Sequence, residues 1–152
     1  MSEPGKASFD RLAVVVDDLD AAVADLTDIF GQQLTRIDVD VLGVRLALGD
    51  EGLELVQEIP GGTPPPWKFN WAGGRIASLA LNVPDLDEAR RRLEERGVKL
   101  VSEIETPGGM MEYYYEAAGF HGIPITLCSH TGEGFAATIG AEEGVAFTPK
   151  LS

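Results

Sequence analysis

The chain is 152 residues long, with 44% hydrophobic and 24% charged residues. That is enough apolar material for one compact domain with its own core, or for two tightly fused half-domains, and it argues against wholesale disorder. Twenty-five acidic residues against 12 basic ones give a formal net charge of −13, a field that repels phosphate backbones and anionic lipid and so argues against nucleic-acid and membrane partners.

The opening "MSEPGKASFD" lacks a basic region followed by an apolar core, so no secretory signal is expected there. Cys128 is the single cysteine, which rules out an intramolecular disulfide and a cysteine-rich zinc site. No apolar run approaches membrane-spanning length. A cytoplasmic protein is the expectation.

A repeat organises the rest. Val16-Asp17-Asp18-Leu19-Asp20 is echoed by Val83-Pro84-Asp85-Leu86-Asp87, at an offset of 67 residues. Repeats dictate architecture, and this one predicts two similar modules. After an N-terminal extension over 1–8, the first module spans 9–58. Leu12 to Val16 reads as an apolar strand. Asp18 or Asp20 can cap a helix in which Ala22, Val23, Leu26, Ile29 and Phe30 recur at helical spacing, with Gly31 as its stop. "TRIDVDV" alternates, with Ile37, Val39 and Val41 on one face. "GVRLALGD" and "GLELVQE" are two more strands, each entered through glycine.

Residues 59–74 are rich in proline and glycine and read as a linker. Their large rings (Trp67, Phe69 and Trp71) predict a clasp packed over the sheet or a partner subunit, or else a ligand lid with Trp67 and Trp71 as ligand contacts. The second module, 75–130, repeats the order. "RIASLALNV" is a strand. "DLDEARRRLEERG" is a helix with Leu86, Ala89 and Leu93 inward and Glu88–Arg92 and Arg91–Glu95 as surface pairs. "VKLVSEI", "MEYYYEA" and "IPITLCSH" are further strands. The tail, 131–152, is expected to cross the surface or dock on a neighbour. The fold class is therefore α+β: two tandem βαβββ modules forming a curved, partly closed eight-stranded mixed sheet with helices outside.

Strand side chains alternate between two faces. One set is uniformly aliphatic and belongs under the helices: Leu12, Val14, Val16; Leu53, Leu55; Leu79, Leu81, Val83; Ile125, Leu127. The other is mixed and predicts a concave ligand face: Phe9, Arg11, Ala13, Val15; Glu54, Val56, Glu58; Ile76, Ser78, Ala80, Asn82; Pro124, Thr126, Cys128, His130.

Paired modules with "VVVDDLDAAVADL" and "LNVPDLDEARRRLEERGVKL" resemble the vicinal oxygen chelate superfamily, which includes glyoxalase I, methylmalonyl-CoA epimerase, extradiol dioxygenases and the fosfomycin and bleomycin resistance proteins. The ending "GFHGIPITLCSH" is most similar to the epimerase branch. The resemblance runs from about Phe9 to His130 and implies a divalent metal held by one side chain on each of four strands. The matching positions are Arg11, Glu54, Ser78 and Thr126, and only Glu54 is of the family's ligand type. A guanidinium cannot ligate a cation, and two neutral hydroxyls are weak donors. No metal or other cofactor is therefore expected; a displaced site drawing on His121, His130, Glu54, Glu58 and Glu112 is the less favoured alternative.

Arg11 and Glu54, meeting where the family holds its ion, would pair. That pair either replaces the metal structurally or works as a catalytic couple. In the catalytic version Arg11 stabilises an enolate oxygen or anchors a carboxylate, and Glu54 is the general base. Burial would raise the Glu54 pKa and Arg11 would lower it, so the two oppose each other. Ser78, Thr126, Cys128 and His130 are candidate ligand contacts. So are Tyr113 and Tyr115, as phenol donors, although ordinary strand packing accounts for a tyrosine run as well. Cys128 lacks an evident base neighbour and reads as a small lining residue, not a nucleophile. Met110 and Met111 follow Gly108-Gly109 in a loop that either gates a pocket or docks on the core. The expected function is binding of a small hydrophobic or carbonyl-containing molecule, with metal-independent isomerase or lyase chemistry by proton abstraction next to a carbonyl. The alternative is a non-catalytic sequestration protein of the bleomycin-resistance type. The resemblance also suggests a homodimer, or else pairing of the two modules within one chain.

Overall fold

A computed structural model describes residues 5–61, 75–131 and 135–151. Trp67, Phe69 and Trp71 lie outside the described residues. The first module runs β1 (Ser8–Val15), α1 (Leu19–Phe30), β2 (Leu34–Val39), β3 (Val44–Gly49) and β4 (Leu53–Glu58). The second runs β5 (Ile76–Asn82), α2 (Leu86–Glu95), β6 (Leu100–Glu105), β7 (Met111–Tyr115) and β8 (Ile125–Cys128). The tail adds a four-residue helix, α3 (Phe135–Thr138), and a short strand, β9 (Lys150–Leu151).

Among the described residues nine strands form one curled mixed sheet in the order β2-β3-β4-β1-β5-β8-β7-β6-β9. The ninth, absent from the sequence reading, comes from the tail. The two modules meet at the centre, where β1 and β5 pair antiparallel; each first strand pairs parallel with the last strand of its own module. The repeat is visible in the register. Ala13 faces Glu54 across β1 and β4, and Ala80 faces Thr126 across β5 and β8.

The helices begin where a carboxylate can satisfy free amides. Asp18 accepts from the Ala21 amide, and Asp85 from the Glu88 amide. Gly31, with φ 67°, ends α1 in the left-handed conformation that glycine adopts without a Cβ penalty. On the convex side α1 covers Leu53, Leu55 and Val14 through Leu19, Val23 and Leu26. Helix α2 covers Leu79, Leu81, Ile125 and Leu127 through Leu86, Ala89 and Leu93. Its outer face carries Arg92 against Glu88 at 2.9 Å and Arg91 against Glu95. Those arginines pull the Glu88 carboxyl down to about 2.

Four readings from spacing and alternation need correction. Ile29 and Phe30 are exposed, because α1 packs through Leu19, Val23 and Leu26 and its last turn runs beyond that contact. Val41 also turns outward, since β2 stops at Val39 and residues 40–42 form a 3₁₀ turn closed by Gly43 at φ 65°. Most consequential is the start of β1. Phe9 pairs with Leu81 but Arg11 with Ala80, so two residues of β1 oppose one step of β5. This bulge inverts the alternation. Phe9 leaves the concave set and is 57% exposed, while Asp10 joins Arg11. A second irregularity between Ala13 and Val14 moves Ile76 off the concave set and brings Ala77 in beside Ala13.

Candidate functional site

The concave face is lined by Ala13, Val39, Leu46, Val56, Ala77 and Ile104, with a polar group set among them. At its centre is Arg11, 3% exposed. Strand β1 presents it and three acids hold it. Its Nε donates to Glu54 Oε2 at 2.8 Å from β4, its Nη1 to Asp10 Oδ2 at 2.6 Å, and its Nη2 to Glu112 Oε1 from β7. The Phe135 ring lies over the guanidinium carbon, 3.6 Å from its centroid.

These contacts set the protonation states. Burial works against the charge on Arg11, but Glu112, Glu54 and Asp10 outweigh it and hold its pKa well above the ordinary value. For Glu54 the opposition foreseen from sequence resolves in favour of burial: desolvation raises its pKa, and Arg11 recovers only part of the shift. Tyr114, raised well above the ordinary phenol range by burial and by Glu112, remains a hydroxyl and donates to Glu112 Oε2 at 2.7 Å. Three buried carboxyls face a single guanidinium, so the centre carries surplus acid and favours uptake of a proton over binding of an anion.

The other half of the face is neutral. The Ser78 and Thr126 hydroxyls share a hydrogen bond with each other. Cys128 is fully buried, and that burial pushes its thiol up to about 12, which leaves it protonated. Near it His130 Nε2 and Asp10 Oδ1 share a hydrogen bond, and Asn82 fixes the His130 backbone through hydrogen bonds in both directions.

Sequence reasoning brought Arg11, Glu54, Ser78, Thr126, Cys128 and His130 to one face, and the structure places them there. Tyr113 and Tyr115 are elsewhere. Both point to the helix side, where Arg90 stacks 3.8 Å from the Tyr113 ring centroid and its Nε donates to Tyr115 Oη at 3.4 Å. Register explains it: Tyr114 pairs with Thr126 across β7 and β8, so Tyr114 and Glu112 share the concave face. That signal was present in the alternation of "MEYYYEA". Asp10 could be found only from the bulge. Met110, 7% exposed, packs with Cys128 and Ile139, so its loop docks on the core.

The four positions on β1, β4, β5 and β8 do not fit a divalent cation: a guanidinium occupies the first, and the two hydroxyls satisfy each other. Asp10, Cys128 and His130 bring one donor atom each within 4.8 Å of one another. There the Asp10 carboxylate is taken up by Arg11 and His130, and the Cys128 thiol donates instead to the Leu81 carbonyl at 3.6 Å. His121 is exposed in the turn before β8, its ring edge-on to Phe120, away from this group.

Around Arg11, Glu54, Ser78, Thr106, Glu112 and Tyr114 remains a cavity of about 30 Å³, room for little more than a water molecule. The Thr106 hydroxyl is buried there without a protein partner. A larger groove of 380 Å³ lies on the convex side beneath α2, lined by Leu81, Leu93, Phe120, Ile125 and Leu127. Among its described lining residues the one carboxylate, Asp85, is committed to capping α2, whereas the buried carboxyls Glu54 and Glu112 converge on the concave face.

Residues 10–115 match the model of the Glyoxalase/Bleomycin resistance protein/Dioxygenase superfamily. The chain belongs to this family, the vicinal oxygen chelate superfamily, and its structural neighbours include methylmalonyl-CoA epimerases. One, from Mycobacterium tuberculosis, shares 25% identity with a TM-score of 0.64 over 82% of this chain and 89% of its own. A methylmalonyl-CoA epimerase in complex with methylmalonyl-CoA and NH4+ shares 18% identity, with a TM-score of 0.67 over 86% and 99%. A hypothetical protein from Bacillus halodurans shares 16% identity, with a TM-score of 0.69 over 84% and 96%. A comparison with curated proteins returns no significant match.

Proposed function

We propose that the protein binds a small uncharged carbonyl compound on its concave face and acts as an isomerase or lyase without a metal at the four-strand position. The supporting observation is the buried Glu54 carboxyl 2.8 Å from the Arg11 guanidinium, with its pKa raised by desolvation. A base of raised pKa is stronger once ionised, and its useful range moves toward neutrality. Glu54 takes the proton from the carbon next to the carbonyl. The electron pair moves to the carbonyl oxygen, and the fixed charge of Arg11 stabilises the enolate that forms. Returning the proton gives isomerisation; expelling a group from the neighbouring carbon gives elimination. The epimerase neighbours, isomerases by name, support this class of reaction. The surplus of carboxyls around Arg11 supports an uncharged substrate over an anionic one.

The test follows deuterium uptake at the carbon next to the carbonyl of 1-indanone, by NMR in heavy water. Glu54→Gln is expected to lower the rate about 10²-fold or more while binding persists. A parent protein that binds the ketone but exchanges no faster than buffer overturns the enzyme reading. It would favour sequestration instead, which the full engagement of Arg11 by three carboxyls supports.

A further inference from the structure

After β8 the chain is rich in glycine, alanine and glutamate, with a few large apolar residues spaced through it. Such a segment has little reason to fold by itself, yet it does not lie on the outer surface. Phe135, Ile139, Phe147 and Pro149 turn into the hollow of the sheet. Phe135 covers Arg11, and Phe147 packs between the two concave clusters. The segment also ties together the two ends of the two-module sheet. The amides of Gly144 and Phe147 donate to the Arg36 and Asp38 carbonyls of β2, at 2.8 and 3.1 Å. At the other end β9 pairs with β6, Leu151 opposite Ile104 and Lys150 opposite Glu105. What is left of the hollow is about 30 Å³.

We propose that residues 135–151 form an autoinhibitory strap, in which Phe135 and Phe147 hold the place of an uncharged aromatic carbonyl ligand that enters when the strap lifts. This rests on the reading of the Arg11–Glu54 face as the ligand site. The ligand's chemistry follows from what the strap puts there. A flat ring lies on the guanidinium, a contact that an aromatic ligand reproduces. The three carboxyls around that guanidinium turn an anion away. Its backbone is held by a two-residue strand, one turn of helix and a few edge hydrogen bonds, and its grip on the hollow is the apolar packing of Phe135, Ile139 and Phe147, contacts that an apolar ligand can replace. The ion pair of Lys150 with Glu105, 3.2 Å long and exposed, adds little.

Gly108 provides a lever outside the site. Its backbone passes beneath α3 so closely that an added Cβ would lie 2.6 Å from the Thr138 carbonyl oxygen. Its φ lies outside the left-handed range, so alanine strains nothing but that contact. Gly108→Ala should therefore loosen the strap and leave Arg11 and Glu54 in place.

The experiment measures 1-indanone binding by calorimetry to the parent chain, Gly108→Ala, Phe135→Ala and a chain ending at Thr131. A synthetic peptide of residues 132–152 is added to the shortened chain as competitor. Lifting the strap is expected to tighten binding about tenfold or more, because a site that is mostly closed loses apparent affinity by the fraction closed. The peptide is expected to reverse the gain. If the shortened chain does not fold, the two point variants carry the test. Equal or tighter binding by the parent overturns the proposal: the segment is then a wall of the site, and the ligand reading survives. If the ketone binds to none of them, the ligand reading falls and the strap's role as competitor falls with it.

Discussion

The two modules share one backbone plan and fill it with opposite chemistry. Glu54 and Thr126 occupy equivalent places in the two modules, each opposite an alanine of the first strand, and Arg11 and Ser78 stand at the repeat offset. Module one makes this a buried ion pair; module two makes it a hydroxyl pair. On the neighbouring strand the asymmetry reverses. Leu48 faces Glu54 across β3 and β4, whereas Tyr114 faces Thr126 across β7 and β8. Apolar Leu46 and Leu48 thus correspond to polar Glu112 and Tyr114. The curled sheet dictates where side chains converge, and the residue types alone decide whether they hold an ion, a proton or each other.

Substitutions can break this comparison. The largest effect on stability is expected at Arg11. Arg11→Leu strands three buried carboxyls and should cost about 3–5 kcal/mol, read from urea unfolding. Should it cost no more than Ser78→Ala, the charged half is not the structural centre. Glu54→Gln tests the same half through pH. A carboxyl whose folded pKa lies above its unfolded value of 4.5 binds the proton more tightly when folded. Its contribution to stability is present at low pH and fades as pH rises through the folded pKa. Parent stability should therefore fall with pH above 4.5 through that transition, and the Glu54→Gln profile should be flatter there. Parallel profiles would mean that Glu54 ionises in the native protein as it does unfolded.

Smaller effects sharpen the picture. Tyr114→Phe removes a hydrogen bond to a buried carboxyl and should cost about 1.5–3 kcal/mol. Ser78→Ala leaves the Thr126 hydroxyl unpaired and should cost about 1–3 kcal/mol. The two caps provide the symmetric control: Asp18→Ala and Asp85→Ala should each cost about 1 kcal/mol. Unequal losses at the caps would show that the modules differ in stability where their sequences agree.

Much of this could be read before any coordinates. The repeated strand–Asp-Leu-Asp–helix unit announced two modules because helix caps and amphipathic spacing are local requirements, met within a few residues. Alternation then put Arg11, Glu54, Ser78 and Thr126 on one face, as it must wherever a strand runs regularly. It failed at Asp10, Phe9 and Ile76, because a bulge adds a residue without changing the composition around it. Tyr114 and Glu112 were legible in principle, from their spacing relative to Thr126. The strap was not. Its apolar residues have no period, and nothing local says which surface they cover.

Local chemistry in the sequence thus determined the elements, the duplicated plan and the face that Arg11 and Glu54 share, and the family resemblance implied that the two meet. Tertiary structure alone decided that Asp10 and Glu112 complete the ring around Arg11, that burial outweighs Arg11 in setting the Glu54 proton, and that the C-terminal segment closes the hollow. The physical reason is range. Caps and alternation act over a few residues, whereas burial, packing and the bulge that turns Asp10 inward depend on strands brought together across 43 residues of chain for Glu54 and 101 for Glu112.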